Sequence, residues 1–354
     1  MLDIKDKTVL ETISPIIGIH FNPLVMLLTG TFGGFVSGFL STGCGIIITP
    51  LLISLGLPPF VAVSTQLCHA VGTNFISFLV YKRKTDVDFT LAFCILVGGS
   101  IGAFCEWIFL KHATNPQTIM QKFLYVYIAV LSIFGFVTLR RSFITRKRLK
   151  NTVTNYNLVM RKWMKYLPIH KVFVRSRSEM SVFIPILLGV LTGMLVASLG
   201  GGSNLFMAPI LTYLIGRISP VVYGTVSMAS FVITVFVTFA YSFQHYCCDI
   251  VIVLLLFAGA SFGSWCGVKL TYKVSRYYIG IISGSLMLCL AGKQVCKIIN
   301  NPRCFEAQQQ NFMPTSIDVH PVMYTFTCII LIMIIAYFHE RFLEKVSKTR
   351  WFRK

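Results

Sequence analysis

Charge is what this sequence has least of. Charged residues occupy 12% of its 354 positions, about half the share in an ordinary soluble protein. So little polar surface cannot cover a water-soluble globule, and a soluble fold is excluded. Acid is scarcer than base: 12 Asp and Glu stand against 32 Lys and Arg, a formal net charge of +20. No paired carboxylates, Ser/His/Asp arrangement or phosphate-binding loop can be found, so the residues give no reason to expect an enzyme. The eleven cysteines include no pair at zinc-ligand spacing with a matching His pair, and no disulfide framework is evident. Cys68, Cys94, Cys105, Cys266, Cys289 and Cys328 fall inside apolar runs, where a thiol acts as a small buried hydrophobe. No metal or other cofactor is expected. The tail 1–22 mixes Asp3, Lys5, Asp6, Lys7 and Glu11 with a short apolar stretch and lacks the basic-then-apolar order of a cleavable leader.

What is abundant is apolar. Hydrophobic residues make up 55% of the chain and the mean hydropathy is +0.74. The apolar residues gather in runs over 24–56, 60–81, 89–110, 123–139, 182–215, 219–243, 249–270, 277–296 and 322–338. A helix needs about 20 such residues to cross a bilayer, so the fold class is all-α, a polytopic transmembrane helical bundle. The organisation read from these runs is a first repeat over 23–140, a basic cytoplasmic linker over 141–180 and a second repeat over 181–298. A polar loop over 299–321, an additional C-terminal helix over 322–339 and a basic tail over 340–354 complete it. Twelve of the Lys and Arg lie between Arg140 and Arg177, where there is no Asp or Glu. That placement marks a cytoplasmic loop with anionic lipid headgroups as an added partner, and nucleic acid is not called for.

The chain repeats itself. Gly30, Gly34, Gly38 and Pro50 recur as Gly189, Gly193, Ala197 and Pro209. Thr65 and Tyr81 recur as Thr225 and Tyr241, and Asp88, Gly98, Gly102 and Cys105 as Asp249, Gly259, Gly263 and Cys266. Internal duplication with so little drift marks many transporter folds. The small residues at every fourth position form a face for close helix approach. The runs 24–56 and 182–215 are too long for one crossing, and each is broken by a glycine cluster: Gly43, Cys44 and Gly45, then Gly200, Gly201, Gly202, Ser203 and Asn204. Unwound backbone at membrane depth is tolerated only where protein buries it or a polar cavity receives it. A re-entrant or discontinuous first helix in each half would aim free N–H groups and a positive dipole end at such a cavity. Two such termini facing each other form a candidate anion site from Gly43, Cys44, Gly45, Gly202, Ser203 and Asn204. Polar residues of the following spans, Thr65, Gln66, His69 and Asn74, then Thr225 and Ser227, would line the path. His69 has two readings, a titrating group and, more commonly, a satisfied interhelical donor. Glu106, in the last turns of its span, is expected to be a solvated or interfacial carboxylate.

The basic residues also bear on topology. If each long run crosses once, the halves are parallel, with 20 Lys and Arg inside and 12 outside. If each turns back, the halves are inverted, with 25 inside and 7 outside, the arrangement that the positive-inside rule prefers.

The motif Thr42-Gly43-Cys44-Gly45-Ile46-Ile47-Ile48-Thr49-Pro50-Leu51-Leu52 resembles the first-half signature of the sulfite exporter TauE/SafE family. So do Leu55-Gly56-Leu57-Pro58-Pro59, Ala62-Val63-Ser64-Thr65-Gln66, Asp86-Val87-Asp88 and Gly98-Gly99-Ser100-Ile101-Gly102. The likeness spans 24–140 and 182–297. It departs where Cys44 replaces a glycine, Gln66 a serine, and Ser203-Asn204 two glycines. The resemblance implies a secondary transporter of small anions such as sulfite or sulfonates, working by alternating access, with the oligomeric state left open. Two other classes are weighed against it. One is a transport-inactive membrane scaffold, receptor or assembly factor, which the altered motif and basic linker would suit. The other is an intramembrane hydrolase built on Ser203, which lacks a His partner.

Overall fold

The fold is known from a computed structural model. It describes residues 12–13, 20–40, 59–84, 87–112, 169–173, 175–176, 178–199, 220–243, 248–274, 276–300 and 321–348. Single positions between them are also described, notably 45, 48–49, 52, 57, 135–140, 207–208, 210–211 and 215. The helices are α1 (Pro23–Leu40), α2 (Pro59–Lys84), α3 (Phe89–His112), α4 (Phe183–Leu199), α5 (Pro220–Phe243), α6 (Ile250–Lys273), α7 (Arg276–Asn300) and α8 (Pro321–Lys348). Four of them, within α3, α5, α6 and α8, are long and apolar enough to cross a membrane, and α1, α4 and α7 contain shorter apolar helices. The chain is thus an all-α, multi-pass integral membrane protein. Helix α2 has 26 residues, enough to span, but buries Ser64, Thr65, Gln66, His69, Thr73, Asn74 and Ser77, which lowers its hydropathy.

Each long apolar run contains a first helix that stops well before the run does, α1 at Leu40 and α4 at Leu199. Helices α1 and α2 point the same way, because the Tyr81 hydroxyl near the end of α2 donates to the Gly38 carbonyl near the end of α1 at 3.2 Å. Between them in sequence, Ile48, Leu52 and Leu57 are buried with Phe21, Met26 and Ala62, at the end where α1 begins. In the second half the Tyr241 hydroxyl donates to the Ala197 carbonyl, so α4 and α5 also run alike.

Glycine decides which helices touch. Helix α1 lies along α6, and a Cβ placed on Gly30, Gly34 or Gly38 would overlap the backbone of Leu256, Ala260 or Ser264. The numbers rise together, so these helices are parallel. The same seam is closed from the other side by Gly259, Gly263 and Gly267 of α6 against Leu27, Thr31 and Phe35. Helices α3 and α4 pair in the same sense, Gly98 and Gly102 against the carbonyls of Ile186 and Val190, and Gly189 and Gly193 against those of Ile95 and Gly99. With no hydrophobic force between helices in lipid, this closeness supplies dispersion and backbone contact. Hydroxyls reinforce it: Ser264 donates to the Gly34 carbonyl at 3.0 Å and Thr271 to that of Phe39 at 2.8 Å. On the outer face of α1, Leu24, Leu28 and Phe32 are exposed, as lipid-facing side chains are.

Helices α2 and α5 form the centre and run antiparallel. Tyr81 stacks near Tyr223 and Phe75 near Phe231, with ring centroids 6.5 and 5.0 Å apart. Helix α8 packs on α2, α5 and α6. It starts where Ser242 and Thr325 share a hydrogen bond, and further along Ile332 and Phe257 fill the space over Gly72. Residues 135–140 are helical and lie against α7, Gly135 on Leu288 and Gly284 on Leu139.

Two elements were not legible in the sequence. Thr12–Ile13 pairs with His20–Phe21, and the end of the basic linker forms an antiparallel hairpin of His170–Phe173 and Ser178–Ser181. Phe173 and Met180 of the hairpin are buried, and the Ser176 N–H donates to Asp88 Oδ2 at 3.1 Å. The exposed cations Lys82, Arg83, Arg140, Lys171, Arg175, Lys273 and Arg341 all belong to the end of the bundle where α2, α6 and α8 finish, which we call the basic end.

The seams predict a sharp contrast between glycines. G34A and G193A should each lower the melting temperature of the purified protein in detergent, with a cost of about 1–3 kcal/mol for overpacking. G292A should leave it unchanged or raise it, since nothing lies within 4 Å of a Cβ there. Equal behaviour of the three variants in a thermal size-exclusion assay would refute this account of the seams.

Candidate functional site

Of the residues singled out in the sequence, Gly43, Cys44, Gly202, Ser203 and Asn204 lie outside the described residues. Gly45 is buried and helical. The other six occupy the two central helices, and all are buried: Thr65, Gln66, His69 and Asn74 on α2, Thr225 and Ser227 on α5. The structure therefore gathers them along one antiparallel pair, at different heights.

Thr65 and Thr225 sit at opposite ends of that pair and join the halves. The Asp249 N–H donates to Thr65 Oγ1 and the Asp88 N–H to Thr225 Oγ1, both at 3.1 Å. Each Asp opens a helix. Asp249 caps α6 by accepting from the N–H groups of Val251 and Ile252, and Asp88 Oδ1 accepts from Leu91 N–H at 3.2 Å at the start of α3. An aspartate at an N-cap satisfies donors that the helix leaves free. In each case a threonine from the opposite half fixes the capping residue. These positions recur in the sequence, but the pairing between halves needs coordinates.

Thr65 and Tyr81 mark the two levels. They are 16 residues apart (81 − 65), a rise of about 24 Å, close to the thickness of a hydrocarbon core. Midway lies a polar layer. Several hydroxyls there bond to their own helix, as Thr73 does to the Ala70 carbonyl and Thr234 to that of Ser230. His69 is fully buried and hydrogen-bonds the backbone of Leu256 in α6, which fits the interhelical donor of the two readings given for it. Asn74 Nδ2, Ser77 Oγ and Ser230 Oγ are different. They are buried and have no hydrogen-bond partner among the described residues. All three lie within one helical turn of the Phe75–Phe231 contact that joins α2 to α5. Asn74 and Ser77 share one helical face by their i, i+3 spacing. Ser77 was missed in the sequence, though a serine three residues after an asparagine in an apolar stretch was a usable signal.

Glu106 corrects an expectation. It is not solvated: its side chain is 0% exposed, and neither carboxylate oxygen has a hydrogen-bond partner among the described residues. Proximity to a helix end gave no hint of this, because burial depends on how α4 and α5 pack on α3.

Similarity to known proteins gives this multi-pass bundle a family. The family model described as "Sulfite exporter TauE/SafE" matches residues 26–293. The chain belongs to that family, one of membrane transporters rather than enzymes. It is 24% identical over 304 residues to the "Probable membrane transporter protein YtnM" of Bacillus subtilis (strain 168), covering 85% of this chain and 87% of that protein. It is also 24% identical over 204 residues to the "Probable membrane transporter protein YjnA" of the same organism, covering 56% and 71%. No solved structure matches. The match ends before α8 begins, so the last helix is an addition to the part that the family model describes.

The paired caps predict that T65V and T225V each lower the melting temperature, since each leaves a buried N–H without its acceptor at a cost of about 1–3 kcal/mol. The two sites are far apart, so the double variant should show the sum of the single effects. An unchanged melting temperature in either single variant would mean that the cap contacts contribute nothing.

Proposed function

We propose that the protein carries a small oxyanion, of the sulfite or organic sulfonate type, across the bilayer by alternating access between two inverted halves. Family membership supports transport. The inverted reading is supported by the directions of equivalent helices: α2 and α5 are antiparallel, while α1 parallels α6 and α4 parallels α3. Those senses are what a second half turned over relative to the first would give. It also brings Lys82, Arg83, Lys171, Arg175, Lys273 and Arg341 to one end, which then faces the cytoplasm.

The observation that carries the substrate class is the mid-bilayer set Asn74, Ser77 and Ser230, buried donors without partners among the described residues. Buried donors cost free energy unless something accepts from them. An oxyanion offers several acceptors in one small volume, and hydrogen bonds to a charged partner are the stronger kind. Neutral amide and hydroxyl donors also bind an anion without leaving a fixed charge behind when it departs. Gly43, Cys44, Gly45, Gly202, Ser203 and Asn204 are proposed to add donors from the two glycine breaks. Gln66, His69 and Ser227 complete the polar lining, with Thr65 and Thr225 holding its two ends.

Uptake of labelled sulfite, sulfate and a short alkyl sulfonate into proteoliposomes tests this. Wild-type protein should move at least one of them. N74A and S230A should each weaken apparent affinity about ten- to a hundredfold, the loss expected for one hydrogen bond to a charged group, while remaining monodisperse. Movement of none of the anions by wild-type protein would overturn the reading and favour a scaffold role.

A further inference from the structure

The carboxyl group of Glu106 lies outside this polar layer and is not used by it. Gly98 and Gly102 touch Ile186 and Val190 on the seam between α3 and α4, and Glu106 is four residues beyond Gly102 on the same helical face. Continuing that four-residue spacing places Glu106 level with Met194. At the equivalent position of the second half, 161 residues on by the offset that relates Gly102 to Gly263, stands Gly267. There a Cβ would already overlap the carbonyl of Phe35. One seam therefore closes glycine on backbone where the other encloses an acid. The enclosure is complete: a side chain facing lipid would register as exposed, and Glu106 is 0% exposed. Neither oxygen is bonded among the described residues.

The described side chains of α3, α4 and α5 offer no counter-charge. Helix α4 contains no Asp, Glu, His, Lys, Arg, Cys or Tyr. On α5 the titratable residues are Tyr223 and Tyr241, and the Tyr241 hydroxyl is committed to the Ala197 carbonyl. On α3 itself they are Cys94, Cys105, Lys111 and His112, and the last two have side chains outside the described residues. A carboxylate sealed in such a seam without a partner costs several kcal/mol. A cation that enters when the seam closes and leaves when it opens removes that cost in each state. Among the described residues no three His, Cys, Asp or Glu side chains are grouped as they would be around a metal ion. A proton needs only the carboxylate.

We propose that Glu106 is the proton-binding site through which transport is coupled to the proton gradient, one proton moving with one anion in the same direction. The step is a protonation: carboxylate and proton form the carboxylic acid on one side, and the acid releases its proton on the other. Moving the pair together avoids the work of driving a net charge against the membrane potential. This inference rests on the transport function proposed above, and its test separates the two.

In proteoliposomes with the interior alkaline, wild-type protein should accumulate the monovalent anion that it carries about tenfold per unit of pH difference, the equilibrium for one coupled proton. Anion addition should draw protons in, read by a trapped pH dye. E106Q should lose both the accumulation and the proton signal, yet still exchange labelled for unlabelled anion at equal pH. Independently of flux, the infrared band of a buried protonated carboxyl should be present in wild-type protein and absent from E106Q. Anion flux that ignores the pH gradient, or follows a sodium gradient instead, overturns the proposal and leaves the transport reading standing. Absence of the infrared band overturns it as well. No flux of any anion overturns the transport reading and the coupling with it.

Discussion

The contact on which the rest depends is backbone against backbone. Where Gly34 meets Ala260 and Gly193 meets Gly99, no side chain separates the helices. In a membrane, lipid tails satisfy apolar side chains as well as protein does, so helices associate through close packing and hydrogen bonds. Glycine at every fourth position permits both.

These seams connect the two halves more than they hold each half together. Helix α1 of the first half lies on α6 of the second, and α4 of the second lies on α3 of the first. The threonine caps repeat the pattern, with Thr225 serving Asp88 and Thr65 serving Asp249. Each half is therefore completed by the other. The central helices α2 and α5 meet each other, and there the buried donors collect. A motion that moves α1 with α6 as a rigid unit would change the spacing at the centre. The carboxyl group of Glu106 belongs to the other seam, between α3 and α4, where a change in its charge would bear directly on whether that seam stays closed.

Much of this could be read in advance, for physical reasons that differ by residue. The spans follow from apolar run length, and Gly30, Gly34 and Gly38 could be assigned to helix contact because only a close neighbour requires that spacing. The overlong runs 24–56 and 182–215 pointed to helices that stop short, as α1 and α4 do. The hairpin at 170–181 escaped notice because four-residue strands carry no periodicity distinguishable from a basic loop. Thr65 and Thr225 were recognised as polar path residues, but their bonds reach across the halves to N–H groups that sequence cannot place. Ser77 and the enclosure of Glu106 depend on which face of a helix a neighbour covers. Family likeness conveyed the class of protein, and Asn74 was legible as a path residue, whereas the lack of hydrogen-bond partners at Asn74, Ser77 and Ser230 among the described residues needed coordinates.

The central claim is that the two halves are interlocked in opposite orientations. Single cysteines introduced at Lys84, Arg276 and Lys345, and at His112 and Asn300, in a background with its native cysteines replaced, test it most directly. With a membrane-impermeant maleimide on sealed vesicles of known orientation, the first three should react from one side and the last two from the other. Positions 84 and 276 labelled from opposite sides would mean that the halves run in the same sense, and would contradict the account.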